Sequence, residues 1–207
     1  MLRILATTLL FALGGCANMD SAECRAADWR AIGYEDGAQG QSPDYFGKRR
    51  KACADHGVTA DFEAYLAGRD EGVAYFCRPR NGYSLGARGY RYSGVCPATL
   101  EGAFVAAHAE GYGLYERQAA LTRIRKRLHH SKERAKEIEY ILAEKTVLLV
   151  SSDVEVTDRA AIAIDLKQLA EEMAEVEISI RQLEHDYAVA EREYEDYRNH
   201  MTHQHGS

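Results

Sequence analysis

The sequence predicts a mainly α protein: a small disulfide-bonded, Gly/Tyr-rich helical head followed by a long antiparallel α-helical hairpin of coiled-coil type. Three observations predict it. Fourteen of the 17 glycines and nine of the 13 tyrosines fall between Cys24 and Tyr115, and many of these glycines recur four apart. Four cysteines, Cys24, Cys53, Cys77 and Cys96, lie in that same segment. From Glu116 onward glycine and proline vanish until Gly206, and apolar residues take up alternating steps of three and four.

The N-terminus is the first element to justify. Arg3 is a positive start, Ile4 to Leu13 is a short apolar run, and Gly14 and Gly15 are small residues placed before Cys16. This is the layout of a secretory signal over residues 1–15. The apolar run is too short for a spanning helix, which needs ~20 residues. Leu13-Gly14-Gly15-Cys16 resembles the bacterial lipobox. That resemblance implies cleavage before Cys16, a diacylated sulfur and an acylated new amine. Several acyl chains make a durable membrane anchor, at about 0.8 kcal/mol per buried CH₂. Ala17, rather than an aspartate, follows the cysteine. The expected location is therefore the periplasmic face of the outer membrane, with residues 16–23 as a lipidated tether.

Export bears on the remaining cysteines. An even set of four in an oxidising compartment reads as two disulfides, for which three connectivities exist. The sequence-local pairing, Cys24–Cys53 and Cys77–Cys96, is the expected one. No pair has the C-x-x-C spacing of a zinc site, so no metal and no cofactor are expected. The chain has 207 residues with 26 basic and 32 acidic side chains, a net charge of −6. Nothing in that balance points to nucleic acid.

The head, residues 24–115, is read as short helices. Gly33/Gly37, Gly68/Gly72 and Gly82/Gly86 are spaced four apart, and Ala107/Gly111 repeats the spacing. Residues four apart share one helix face, so each pair leaves a groove where a backbone can approach. The propensity cost of ~1 kcal/mol per glycine demands such a packing reason. Aromatics flank every pair and are expected to fill the grooves. Ser42-Pro43 should start a helix and Gly57 should end it. Thr59 can cap a helix from Ala60 to Phe76. Pro79 should break the chain, and Pro97 should start a helix through Phe104 to Tyr115. Between them, the run from Gly82 to Gly94 reads equally well as helix or as turns.

No catalytic residue is assigned. Glu35, Asp36, Asp70, Glu71 and Glu110 recur beside the glycine pairs, where two carboxylates could serve a wall-cleaving glycosidase. Their regular repetition argues instead for capping, or for pairing with Arg30, Arg69 and Arg88. His56 near Cys53 has the composition of a nucleophile pair, but a disulfide-bonded cysteine cannot attack. The glycine runs lack the strand and the Gly-Lys-Ser/Thr ending of a nucleotide loop.

One resemblance covers about half the chain. Its residues are Trp29-Arg30-x-x-Gly33-x-x-Asp36-Gly37-x-x-Gly40, Cys53-x-x-His56-Gly57 and Tyr65-x-x-Gly68-Arg69-x-x-Gly72. Phe76-Cys77-x-Pro79-x-Asn81-Gly82 and Gly86-x-x-Gly89-x-x-Tyr92-x-Gly94-x-Cys96-Pro97 continue it. This ordered set resembles a family of small Gram-negative envelope lipoproteins of unknown function. The resemblance implies a shared fold and a periplasmic lipoprotein setting, and no activity.

The hairpin, residues 116–200, comes next. Its first run is Leu121, Ile124, Leu128, Ala135, Ile138 and Leu142, with Ser131 and Lys145 polar in the same register. The second is Ile162, Leu166, Leu169, Met173, Val176, Ile180, Leu183, Tyr187, Ala190, Tyr194 and Tyr197. Alternation of three and four is a heptad seam. Residues 151–158 hold helix-start signals, with Ser152 and Glu155 spaced as a capping box. A helix ending near Val150 and another starting between Asp153 and Asp158 must be antiparallel neighbours, each roughly 50–60 Å long. Residues 117–150 carry nine basic and four acidic side chains, and residues 153–200 carry five and 14. Signs that segregate by helix favour pairing across the hairpin. The basic cluster Arg117 to Lys136 and the acidic cluster Glu184 to Asp196 are expected at helix ends that oppose the macrodipole. Residues 201–207 are read as a disordered tail.

The expected function is a structural or protein-interaction role in the envelope, without catalysis. The partners would be the membrane through Cys16, and an unknown envelope protein or a second copy through the hairpin. A cell-wall hydrolase, or a saccharide-binding module using the Tyr-rich head, is the alternative.

Overall fold

The structure is a computed structural model and describes residues 19–205. The signal, the lipobox and Cys16 lie outside the described residues. Seven helices follow in order among the described residues: α1 (Ser21–Arg25), α2 (Trp29–Ala38), α3 (Asp44–Ala54), α4 (Phe62–Phe76), α5 (Pro79–Ala87), α6 (Ala98–Val150) and α7 (Val156–His205). The mainly α class, the disulfide-bonded head and the long C-terminal helices are as expected. The chain divides into two compact units, one of residues up to 82 with 92–106, the other of 83–91 with residues from 107 onward.

In the first unit the glycine pairs explain themselves. α2 and α4 cross with Gly33 and Gly37 set against Gly68 and Gly72. A Cβ on Gly33 would overlap the Tyr65 carbonyl oxygen, and one on Gly68 would overlap that of Arg30. Gly37 meets Arg69 O and Gly72 meets Tyr34 O in the same reciprocal way. The grooves therefore hold the partner helix's backbone, not aromatic rings. Tyr34 and Tyr75 are exposed, while Trp29, Phe46 and Tyr65 form a buried cluster beside the crossing. The Phe46 ring lies 4.7 Å from Tyr65 and 6.1 Å from Trp29.

The arrangement occurs twice. Gly33-Tyr34-x-x-Gly37-Ala38-x-Gly40 recurs as Gly82-Tyr83-x-x-Gly86-Ala87-x-Gly89. Tyr65-x-Ala67-Gly68-x-x-Glu71-Gly72 recurs as Phe104-x-Ala106-Ala107-x-x-Glu110-Gly111. The contacts recur too. Gly82 abuts Phe104 O, Gly86 abuts His108 O and Gly111 abuts Tyr83 O. Gly40, at φ +69°, lies under the Phe76 ring, and Gly89, at φ +77°, lies under the Tyr115 ring. Both backbones need a glycine, for the left-handed φ and for the ring above it.

Each repeat carries one disulfide. Cys24–Cys53 and Cys77–Cys96 have Cα separations of 5.4 and 5.7 Å, normal for a disulfide. In both cases a cysteine ahead of the first helix is tied to the connector before the second.

Several boundaries differ from the reading above. The end of the segment assigned to a tether, residues 20–23, is part of the helix α1 and its cap, with Asp20 and Glu23 in a capping box and Cys24 buried. α3 starts at Asp44, with Pro43 in the cap position, while the Ser42 hydroxyl accepts from the Asp44 N–H. Asp61, not Thr59, caps α4 through the Ala64 N–H. Pro79 opens α5 rather than breaking the chain, as a proline without a needed N–H does at a first helical turn. The 82–94 run is both alternatives in succession: helix to Ala87, then turns at Gly89 and Gly94.

α6 runs unbroken from Ala98 to Val150, so the junction expected after residue 115 lies within it. At 53 and 50 residues, α6 and α7 are each about 75–80 Å long, longer than expected. The basic cluster then sits in the middle of α6, so the macrodipole argument fails for it. The expected tail is helical through His205, and Met201 is buried.

Candidate functional site

Two places merit examination: the polar cluster buried in the first unit and the hairpin in the second. Asp36 stands on α2, three residues after Gly33, and is 2% exposed. Arg49 from α3 grips it with both arms, Nε to Oδ2 at 3.0 Å and Nη2 to Oδ1 at 2.7 Å. The Tyr65 hydroxyl donates to Oδ2 at 3.0 Å. Arg69 donates to the Gln41 carbonyl at 2.9 Å. Its Nε is buried with no partner. Donating to the Asp36 carboxylate raises the affinity of Arg49 for its proton. Burial, reinforced by the nearby carboxylate, pushes the Tyr65 phenol up to about 12.

This cluster is built to hold α3 against the α2–α4 crossing. A general acid or base must reach a substrate proton. Asp36 has both oxygens engaged, and its side chain is sealed from solvent. Glu71 pairs with Arg30 across the crossing at 2.5 Å, an exposed bridge. The carboxylate–arginine pairing expected from the repeats is thus present at Arg30, but Asp36 takes Arg49 instead of Arg69. Arg49 lies in the basic run 48–51, which gives no sequence signal separating it from its solvated neighbours. Cys53 is oxidised, so it has no thiolate to pair with His56.

The hairpin helices each bury one stripe of side chains. Leu169, Met173, Val176, Ile180 and Tyr187 are half-buried, and Leu183 is 3% exposed. On α6, Leu121, Ile124, Leu128, Ser131, Ala135, Leu142 and Lys145 are half-buried and Ile138 is fully buried. Residues between them on both helices are mostly exposed. Among the described residues, three ion pairs cross from α6 to α7: Lys132–Glu184, Arg134–Glu172 and Lys145–Asp165, each at 2.7 Å. All three run basic to acidic, in the direction the charge segregation favours.

At the base of the hairpin the Tyr197 hydroxyl donates to the Glu110 carbonyl at 2.9 Å, and Arg117 lies 3.9 Å over its ring. At the turn, Arg159 donates to Val154 O at 3.0 Å and Ser151 O at 2.8 Å. Sequence reasoning assigned this turn to a Ser152/Glu155 capping box and missed Arg159. Near the turn the surface becomes apolar. Val147, Leu148, Val150, Val156 and Ile164 are exposed, with Val150 at 76% and Val156 at 83%.

Among the described residues no group of His, Cys, Asp and Glu is placed to hold a metal ion, and no helix is long and apolar enough to cross a membrane. A domain described as a protein of unknown function (DUF2799) covers residues 28–113. No curated protein and no solved structure matches the chain.

Proposed function

We propose that this protein is a lipid-anchored lipoprotein of the outer membrane's periplasmic face that presents its helical hairpin to a protein partner. The observation that carries the interaction role is the exposed apolar end of the hairpin, Val147, Leu148, Val150, Val156 and Ile164. A water-facing hairpin turn has no need of such residues, and exposed apolar side chains gathered at one end of an element mark an interaction site. The acidic residues around it, Glu144, Asp153, Glu155 and Asp158, would be repelled by an anionic lipid surface and suit a partner with basic side chains. Leu13-Gly14-Gly15-Cys16 supports the anchor, and the two disulfides fit an oxidising compartment. Asp36, the buried carboxylate of the head, is held by Arg49 and Tyr65 and has no free oxygen to offer a substrate.

A photo-crosslinking side chain placed at residue 150 or 156 tests the reading in cells. A discrete adduct is expected from these positions and not from residue 171, about a third of the way along α7. Val147→Asp with Leu148→Asp, made in the chain carrying the crosslinker, should abolish it with helicity intact. Equal adducts from all three positions would contradict a partner at the turn. Cys16→Ser should move the protein from the membrane to the soluble fraction.

A further inference from the structure

We propose that a cleft in the second unit, beside Tyr115, binds an acidic sugar, a pyranose ring bearing a carboxylate. The cleft measures about 560 Å³ and lies between the end of α5 and one face of α6. That volume is in the range of small-ligand sites. Tyr115, Gln118, Thr122 and Arg123 line it from α6, at helical spacings that place them on a single face, and Arg88 closes it from the turn after α5.

The Tyr115 ring is a fixed platform. Gly89 lies under it, where a Cβ would come within 2.5 Å of the ring, and Tyr112 packs beside it with ring centroids 5.6 Å apart. The ring is nevertheless 38% exposed, which gives an apolar face for the C–H side of a sugar. Thr122 donates its proton to the Gln118 carbonyl at 2.9 Å, so its oxygen lone pairs stay available to accept from sugar hydroxyls.

The anion is assigned from the two guanidinium groups. Arg88 is steadied by the Ser84 carbonyl at 3.2 Å and by the Tyr90 ring at 5.2 Å. Neither Arg88 nor Arg123 has a carboxylate partner among the described residues. Arg125, Lys126 and Arg127 on α6 lack one too, but of these cations only Arg88 and Arg123 line the cleft. A planar guanidinium matches a carboxylate with two parallel hydrogen bonds, which favours a carboxylate over a neutral sugar.

The test is calorimetric titration of the purified protein with glucuronic acid and, separately, glucose, which lacks the carboxylate. The acid is expected to bind at least about tenfold more tightly, the equivalent of one charge-assisted contact. Arg88→Ala with Arg123→Ala should erase that preference; both side chains are exposed, so the fold should be untouched. Tyr115→Leu should weaken both sugars. Equal binding of the two sugars, no binding of either, or an acid preference surviving the double arginine substitution would overturn the proposal. The first comparison needs no variant, so a misfolded variant cannot rescue it.

Discussion

A single carbon atom separates two kinds of glycine in this chain. At Gly33 and Gly72 an added Cβ would meet a carbonyl oxygen of the facing helix, and neither backbone can yield without opening the crossing. At Gly47 and Gly102, both inside helices, it would meet nothing within 4 Å. Gly33→Ala or Gly72→Ala should therefore cost about 1–3 kcal/mol by overpacking. Gly47→Ala or Gly102→Ala should instead gain about 0.5–1 kcal/mol from helix propensity. Urea unfolding of the four variants gives the signs, and a common sign would contradict the crossing. Tyr65 supplies a second prediction. Its phenol holds its proton to about pH 12 in the folded protein, against about 10 in an unfolded chain. The folded state is thus favoured by the protonated form. That contribution is complete below about pH 10 and is lost as the pH rises towards 12. Tyr65→Phe should flatten this loss in alkaline unfolding curves and cost about 1 kcal/mol at neutral pH. The second repeat carries phenylalanine here naturally, at Phe104. The glycine spacing was legible because a four-residue period on a helix has few other causes. The grip of Arg49 on Asp36 was not, since nothing local distinguishes one arginine in a basic run.

At the scale of elements, the hairpin seam should answer to truncation and hardly at all to charge. Leu183→Ala and Ile138→Ala each open a hole in a buried layer and should cost about 2–4 kcal/mol. Lys132→Ala removes an exposed ion pair, with both side chains about half exposed, and should cost less than about 1 kcal/mol. Thermal unfolding by circular dichroism separates the two classes; comparable losses would mean that charge, not the seam, holds α6 to α7. The seam could be read from sequence because alternation of three and four survives any small shift of boundary. The helix limits were less legible. α6 passes residue 115 without pause because nothing there interrupts a helix: composition shifts from glycine to charge, but no proline or capping residue intervenes. The turn between α6 and α7 was placed correctly while its fastening was not, because Arg159 acts through backbone carbonyls that only the folded turn brings within reach.

For the whole molecule, the proposed account places a duplicated, disulfide-tied helical head at a membrane and an apolar hairpin end in reach of a partner. Chain-entropy arguments give the 19-residue Cys77–Cys96 span about 3 kcal/mol. The duplication itself escaped the reading of the sequence. Its two copies differ in connector length and in their buried polar residues, but the shared Gly-Tyr-x-x-Gly-Ala-x-Gly at residues 33–40 and 82–89 carried the signal, and the matching contacts of Gly33 and Gly82, and of Gly72 and Gly111, make the correspondence plain. The anchor stands upstream of everything else in the account. Intact-mass spectrometry of the protein extracted from membranes, before and after reduction, addresses it most directly. The account predicts a chain beginning at Cys16, heavier by a diacylglyceryl group and one further acyl chain, and gaining four hydrogens on reduction. An unacylated chain with its thiols already reduced would contradict it.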